Sequence, residues 1–357
     1  MFKIIDVYIG KTISTSILLV LITFIGLSSI IKYVEQLKKV GEGNYDLLQA
    51  LLFVILSIPR DLEMFFPMAV MLGSLIGLGV LAENSELVVM QAAGFSKLNI
   101  GVSVLKTAVP LMFIMTIFSQ WGVPQAQKMA RDLRAIAISG GNLILLRTAV
   151  WARDSNDFIF MGKVEFNKIH NLKIWKFDDK KHLTLVISSK EANFISNDDT
   201  WEMKDAQITD MRNGSNISKK ILPIYHWNTP LSPDKLAVVT MKPEELSFSG
   251  LYHYITYLEN SEQDSSHYRL ALWRKGSQPF TIAVMMLMAF SFIFGPLRSV
   301  TMGTKMLFGI IAGFIFYISG EFLSPFSLVY SIPPVFAAIA PNVMFLLVAI
   351  ILLKKNI

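Results

Sequence analysis

The chain has 357 residues, of which 53% are hydrophobic and only 17% are charged. Soluble globular domains carry about 25% charged residues, so this composition excludes intrinsic disorder and argues against an ordinary soluble enzyme. The sequence contains no cysteine, which excludes disulfides, thiol catalysis and Cys-ligated metal centres.

The net charge of +6 is unevenly distributed along the chain. Residues 123–270 hold 19 Lys and Arg against 18 Asp and Glu, whereas the rest of the chain holds 14 against 9. The basic excess therefore accompanies the hydrophobic parts. This favours contact with anionic lipid or an anionic substrate over the binding of nucleic acid.

Three hydrophobic runs before residue 124 approach the roughly 20 apolar residues that a membrane-crossing helix needs. Arg60, Asp61 and Glu63 divide the second of these runs, so we expect an interfacial helix before the charges and a span after them. In chain order, the elements predicted for residues 1–123 are span one at Thr12–Ile31, the interfacial helix at Leu47–Ile58, span two at Met64–Ala82 and span three at about Leu98–Val123.

The link between spans two and three predicts a short helix at about residues 84–94. Asn84 or Ser85 can cap its start and Gly94 can end it. Its largely apolar surface needs cover, either from the membrane surface or from a groove in a cytoplasmic motor subunit, for which it would be the coupling helix. The residues predicted to contact that subunit are Glu86, Leu87 and Met90.

Hydrophobicity falls over residues 124–270, which predict an inserted all-β domain, a sandwich or jelly roll, on two helical stalks. Leu183, Leu185 and Ile187 alternate along one segment, as in a half-buried strand, and are the predicted interior of the domain. Further strands are predicted at Asp157–Phe166, Leu172–Phe177, Lys190–Ile195, Trp201–Asp205 and Lys235–Thr240, turns at Asp178-Asp179, Asn197–Asp199 and Asn213-Gly214, and stalks at Gln125–Ile138 and Leu251–Glu259.

Residues 271–357 predict three further spans, at Ser277–Leu297, Met306–Gly320 and Val335–Leu353. Six spans place both termini on the same side of the membrane. Seven flanking Lys and Arg lie on that side and six on the other, so the positive-inside rule weakly favours cytoplasmic termini and a β domain outside the cytoplasm.

Two small-residue motifs lie inside these spans, Gly73-x-x-x-Gly77 and Gly309-x-x-x-Gly313. Glycines at this spacing allow two helices to approach closely, although glycine is also common in membrane helices without such a role. The sequence therefore leaves both interpretations open: each motif either marks a helix contact or is incidental.

Basic side chains gather at the far end of spans one and three. Lys32, Lys38 and Lys39 stand on the side where positive charge is disfavoured, and Arg131 and Arg134 share one face of the stalk that follows span three. They are either solvated flanking charges or a ring that receives the phosphates and carboxylates of an amphiphile, since Lys supplies a point charge and Arg a bidentate fork.

The sequence offers no constellation for catalysis or for a metal. Gly10-Lys11-Thr12 lacks the earlier glycine of a nucleotide-binding loop, and Ser103-x-x-Lys106 lies in a membrane span, where the lysine is expected to snorkel or to face the bundle. The five histidines lie in the insert and none is at metal-ligand spacing. We therefore expect a non-catalytic chain without a cofactor of its own.

Several long segments resemble the LptF/LptG permease family, in order and over nearly the full length. They are Asp6–Thr12, Ser85–Gly94, Phe294–Val300 and Ser327–Pro334. The segment Ile30–Lys39, followed by Gly41-x-Gly43-x-Tyr45-Asp46, is more similar to the LptG branch than to the LptF branch.

This resemblance implies a multi-pass subunit of the lipopolysaccharide exporter in the bacterial inner membrane, with a periplasmic jelly roll. In that family LptF and LptG form a heterodimer with two copies of the ATPase LptB, which uses ATP and Mg, and LptC and LptA continue the jelly-roll bridge. By position, Lys32, Lys38, Lys39, Arg131 and Arg134 match basic positions associated with the charged lipopolysaccharide core. Glu86 matches the acidic residue of the coupling helix.

Three other functions remain open at this point. A permease of another lipid or lipoprotein exporter would commonly have four spans. A membrane-anchored envelope enzyme would need an acid–base or nucleophile constellation. A structural or signalling protein would need neither the cytoplasmic helix nor the basic cluster.

Overall fold

A computed structural model describes residues 4–138, 144–146, 150–154, 156–165, 167–195, 200–212, 217–229, 243–260, 263–295 and 300–356. Within these residues a helical bundle carries an inserted antiparallel sheet. The helices are α1 (Ile4–Leu37), α2 (Leu47–Glu83), α3 (Glu86–Ala92), α4 (Lys97–Ile117), α5 (Val123–Ile138), α6 (Phe248–Asn260), α7 (Ser266–Phe294), α8 (Met302–Val329) and α9 (Pro334–Asn356).

The six predicted spans are confirmed: the described residues contain six helices long and apolar enough to cross a membrane. A π-helical segment, Phe118–Gly122, joins α4 to α5. The third span and the first stalk therefore form one continuous helix. The second stalk, α6, is also present.

The prediction of a separate interfacial helix before span two is wrong. Residues 47–83 form a single helix that includes Pro59 and Pro67 and begins with a capping box between Asp46 and Gln49. Charged residues interrupt an apolar run in the sequence, but they do not interrupt the helix, because each finds a partner on a neighbouring element.

Helices α2 and α7 lie at the centre of the bundle. Helix α2 packs against α1, α5, α7 and α8, and α7 packs against α2, α4 and α9. Both glycine motifs lie at contacts between α2 and a neighbouring helix. A Cβ built on Gly73 would lie 2.4 Å from Cα of Ile17 on α1, and Gly309 of α8 faces Leu72 and Leu75 of α2.

The prediction of an inserted all-β domain is confirmed. In the described part of the insert, seven antiparallel strands form one sheet: β1 (Ile144–Leu146), β2 (Val150–Asp154), β3 (Asp157–Glu165), β4 (Lys168–Phe177), β5 (Leu183–Ile195), β6 (Thr200–Asp210) and β7 (Ser218–Asn228). Strands β3 to β7 pair with their neighbours in the chain, and β1 and β2 both pair with β3. The described strands thus follow one another as a meander, a simpler order than the Greek keys of a jelly roll.

The strand boundaries predicted from the sequence are only partly correct. The segment around Leu185 and the predicted strand Lys190–Ile195 are one long strand, β5, while β1, β2 and β7 were not predicted. The turn at Asp178-Asp179 is confirmed by Asp178, whose carboxylate accepts hydrogen bonds from the backbone of Lys180 and His182. The strand predicted at Lys235–Thr240 and the turns predicted at Asn197–Asp199 and Asn213-Gly214 lie outside the described residues.

The sheet has its own apolar core, to which Ile174, Ile187, Trp201 and Met203 contribute fully buried side chains. Ile187 therefore lies in the interior, as predicted. Leu183 and Leu185, nearer the start of β5, are only half-buried. Tyr257 of α6 packs against the same core and so connects the sheet to the bundle.

We expect Gly73→Ala to loosen the contact between α1 and α2, because a methyl group there would overlap the backbone of Ile17. Overpacking of this kind costs about 1–3 kcal/mol. Thermal unfolding of the purified protein should therefore shift to lower temperature. Gly26→Ala is the matched control on α1, because a Cβ at Gly26 meets nothing within 4 Å. Equal unfolding temperatures for the two variants would contradict the close approach.

Candidate functional site

The loop between α1 and α2 docks on the end of α5. The backbone N–H of Asn44 donates to the carbonyl of Ala137 at 2.8 Å, and Gly43, at a φ of 58°, brings the loop against the same turn of α5. A Cβ on Gly43 would lie 2.5 Å from the carbonyl oxygen of Ile138. Tyr45, 1% exposed, anchors the loop in a small apolar cluster with Ala50 and Ala137.

This docking brings cations from two elements together. Burial lowers the pKa of Lys39, and the positive charge of Arg134 lowers it further, against the opposing effect of Glu42 and Glu35. The guanidinium of Arg134 lies 5.3 Å from the centre of the Phe53 ring. Like charges so placed favour an anion between them.

Lys38, Lys39 and Arg134 form what we call the basic patch. Lys38 is exposed, and Lys39 and Arg134 are half-buried. Among the described residues, no salt bridge with an acidic side chain is found for Lys38, Lys39 or Arg134. The sequence prediction that these three residues gather at one end of the bundle is consistent with this arrangement, whereas their role in binding stays a prediction.

Lys32, the fourth predicted cation, differs from these three residues because it already has an acidic partner. Its ammonium group forms a salt bridge with Asp61 of α2, and the other carboxylate oxygen of Asp61 accepts a hydrogen bond from Ser28 Oγ at 3.0 Å. Lys32 thus has an internal counter-ion, which the sequence did not predict, and its role in binding stays a prediction.

Arg131 is held by a carboxylate as well. Its Nη1 lies 3.3 Å from Glu245 Oε2, and Arg60 Nη1 of α2 lies 2.7 Å from Glu245 Oε1. Glu245 is buried at the end of the 3-10 helix Pro243–Glu245. One carboxylate therefore ties α2, α5 and the segment that leads back from the sheet.

Glu63, a third charged residue of α2, contacts α7 and the π-helical segment. Its Oε1 lies 3.5 Å from Nζ of Lys275 on α7 and accepts a hydrogen bond from Ser119 in the π-helical segment. A cavity of about 650 Å³ adjoins this pair between α2, α7, α8 and α9, with Met64, Met68 and Phe316 among its apolar walls. The space combines apolar walls with charged side chains, of which Glu63 and Lys275 form an ion pair with each other.

The opposite end of the bundle carries the short helix α3. Gly94, at a φ of 92°, closes it as predicted, with hydrogen bonds from Gly94 N to Gln91 O and from Phe95 N to Met90 O. Ser85 occupies the N-cap position, but its side chain makes no capping hydrogen bond.

The exposed face of α3 differs from the predicted one. Leu87 is 4% exposed and belongs to the bundle core, and Met90 packs against that core, so the assignment of Leu87 to a partner contact is corrected. Val88 and Val89, at 59% and 65% exposed, form the outward apolar surface instead. Glu86 accepts a hydrogen bond from Tyr8 Oη of α1 at 2.8 Å.

Ser103 and Lys106 have a structural explanation. Both donate to the buried carboxylate of Asp6 on α1, Ser103 Oγ at 2.5 Å and Lys106 Nζ at 2.7 Å. Lys106 thus faces the bundle, one of the two orientations expected from sequence. Within the described residues, no group of three or more His, Asp or Glu is placed to hold a metal ion.

Sequence reasoning missed four acidic or hydroxyl groups that organise these sites: Asp61, Glu63, Glu245 and Tyr8. The cluster of Arg60, Asp61 and Glu63 did give a signal, because charges inside an apolar run require partners, but it was interpreted as a helix break. Glu245 and Tyr8 gave no signal, since their partners lie far away in the chain.

Comparison with known proteins confirms the family resemblance. Residues 7–355 match the family model described as lipopolysaccharide export system permease LptF/LptG. The chain is 43% identical over 356 residues to the lipopolysaccharide export system permease protein LptG of Escherichia coli (strain K12), covering 99% of both chains. It is 44% identical over 362 residues to the protein of that name from Haemophilus influenzae (strain ATCC 51907 / DSM 11121 / KW20 / Rd), covering 100% of this chain and 99% of the other. The chain therefore belongs to the LptF/LptG family of lipopolysaccharide export system permeases.

Proposed function

We propose that this chain is the LptG-type permease subunit that takes lipopolysaccharide from the outer leaflet of the inner membrane and passes it to a periplasmic jelly-roll bridge. The observation that carries the proposal is the basic patch at the end of a six-helix membrane bundle. It fits the phosphates of a multiply charged amphiphile, and no acidic side chain of the described residues forms a salt bridge with it.

The basic patch and the apolar walls of the cavity can contribute different free energies to transport. A charge pair near a protein surface is worth at most a few kcal/mol before desolvation and screening, so several cations must act together. Burial of acyl chains gains about 0.8 kcal/mol per CH2, but the bilayer already offers nearly the same environment. Capture can therefore be electrostatic, whereas extraction needs an external source of energy.

That source is proposed to be a separate ATPase, two copies of LptB, which bind ATP and Mg. This chain would be a non-catalytic subunit that holds no cofactor itself. The exposed Val88 and Val89 of α3 support the proposal, because a short helix with an apolar outer surface fits a groove in a partner. Glu86 stands beside them in the first turn.

The remaining partners and the orientation follow from the same proposal. The chain is a multi-pass membrane protein, and we place both termini in the cytoplasm and the sheet in the periplasm. Exposed apolar side chains on α1 and α8, such as Leu19, Ile22 and Phe314, support lateral contacts with LptF and with the membrane helix of LptC. LptA would receive the lipid beyond LptC.

The basic patch provides the first test of this function. We expect Lys38→Glu with Lys39→Glu to weaken lipopolysaccharide binding by the purified complex more than Lys32→Ala does, because Lys32 is already paired with Asp61. Basal ATPase activity should change little, and the loss should shrink as salt rises. Lys180→Glu with Lys181→Glu, in an exposed turn of the sheet, is the matched charge reversal. Full binding at low salt by the Lys38/Lys39 variant would show that the patch is only a solvated flank.

Coupling through α3 can be tested separately. We expect Glu86→Ala to lower transport-coupled ATPase activity, because it removes the only carboxylate within the residues of α3. Tyr8→Phe removes the hydrogen bond from α1 to Glu86 but keeps that carboxylate, so coupling should largely survive. If Tyr8→Phe is as damaging as Glu86→Ala, the contact within the chain, and not a partner residue, explains the role of Glu86.

The path of the lipid through the sheet gives a third test. Photo-crosslinkers at Leu183, Leu185 and Ile187 should capture lipopolysaccharide while ATP is hydrolysed, more readily at the two half-buried leucines than at the closed core position. A crosslinker at Trp151, which is 60% exposed, is the control. Capture at none of these three positions would leave the sheet as a docking module.

A further inference from the structure

Asp61 is an acidic residue of the membrane helix α2. Both side chains that donate to its carboxylate come from the neighbouring helix α1. The side chain of Asp61 is 4% exposed. One oxygen accepts from Lys32 and the other from Ser28, which stand one turn apart on α1. In the described part of the chain, the other charges beside it on α2, Arg60 and Glu63, are directed to Glu245 and Lys275.

The two members of the pair differ in their access to solvent. The Lys32 side chain is 28% exposed, seven times as much as that of Asp61. An ammonium group has three donors, so Lys32 can meet an external anion while Asp61 stays enclosed. A buried carboxylate also strongly favours a nearby cation, which makes Asp61 a competitor for any anion that approaches Lys32.

We propose that Asp61 is a positioning residue that holds Lys32 in reserve and gives it up to a phosphate group of the arriving amphiphile. The inference rests on the proposed function and adds a regulation to its binding site. Lys38, Lys39 and Arg134 make the first contact, and Lys32 changes its counter-ion from Asp61 to the phosphate. When the lipid leaves, Asp61 takes Lys32 back, which lowers the affinity of the emptied site.

Counter-ion exchange and a fixed helix–helix tie make opposite predictions. A fixed tie between α1 and α2 would only stabilise the bundle, and its loss would weaken binding or leave it unchanged. An exchanging pair opposes binding, so its removal strengthens binding. The sign of the change in lipid affinity therefore separates the two.

The experiment is a double-mutant cycle on the full purified complex, with lipopolysaccharide as the probe and bound lipid measured across a salt series. We expect Asp61→Asn to raise the affinity about two- to fivefold, the worth of one partly exposed ion pair. Lys32→Ala should cost little in the native background and should abolish the gain in the Asp61→Asn background. Asp61→Glu should behave as the native chain. Glu83→Gln, an exposed carboxylate at the other end of α2, is the control.

Unchanged or weaker binding by an intact Asp61→Asn complex would overturn the proposal, as would an equal cost of Lys32→Ala in both backgrounds. If Asp61→Asn does not assemble, Ser28→Ala decides, because it loosens Asp61 while keeping its charge. A smaller gain in affinity supports exchange, and no gain overturns it. If the Lys38/Lys39 reversal loses binding while Asp61→Asn changes nothing, the exchange fails and the proposed function stands.

Discussion

The structure depends on the charges that α2 carries inside its apolar length. An ion removed from water costs several kcal/mol unless a partner compensates it. Arg60, Asp61 and Glu63 meet this requirement by reaching three different elements: the segment after the sheet, α1 and α7. The position of each neighbour is thereby fixed relative to α2, and the sheet is attached to the bundle by the same rule that holds the helices together.

The overall architecture could be predicted because it follows from local properties of the chain. Runs of apolar residues locate six spans, and alternation locates β3 to β6. Strand β7 was not predicted because Lys219, Lys220 and Pro223 obscure its pattern. A strand that is largely exposed and lies at the edge of the described part of the sheet needs little alternation. The break predicted inside α2 is wrong because charged residues need not end a helix when their partners, which lie in distant parts of the sequence, compensate them.

The candidate site was only half predictable for the same reason. The positions of Lys38, Lys39 and Arg134 followed from the ends of predicted helices. That Lys32 and Arg131 are already paired could not be derived, since Asp61 and Glu245 come from other elements. The loop that gathers the patch depends on Gly43 and Tyr45, whose conformation and burial are tertiary properties.

Helix α1 reaches both ends of the bundle, the end with α3 and the end with the basic patch. Its first turns contact α3 through Tyr8 and α4 through Asp6, and its last turns carry Lys32. A helix of 34 residues is about 51 Å long and transmits displacement with little bending. Helix α1 therefore links α3 to the end that carries the basic patch, and because Ile9, Ile13 and Ile17 lie in the bundle core, a displacement of α1 would also be felt there.

The π-helical segment Phe118–Gly122 sets the phase between the span and the stalk that share one helix. Ser119 of that segment faces Glu63, while Arg131 and Arg134 farther along must face Glu245 and Lys39. A wider turn accommodates one extra residue, and each residue rotates an α-helix by about 100°. Loss of a single residue here would rotate Arg131 away from Glu245 and Arg134 away from Lys39. The number of residues between positions 117 and 123 therefore decides which way the arginines of the stalk face.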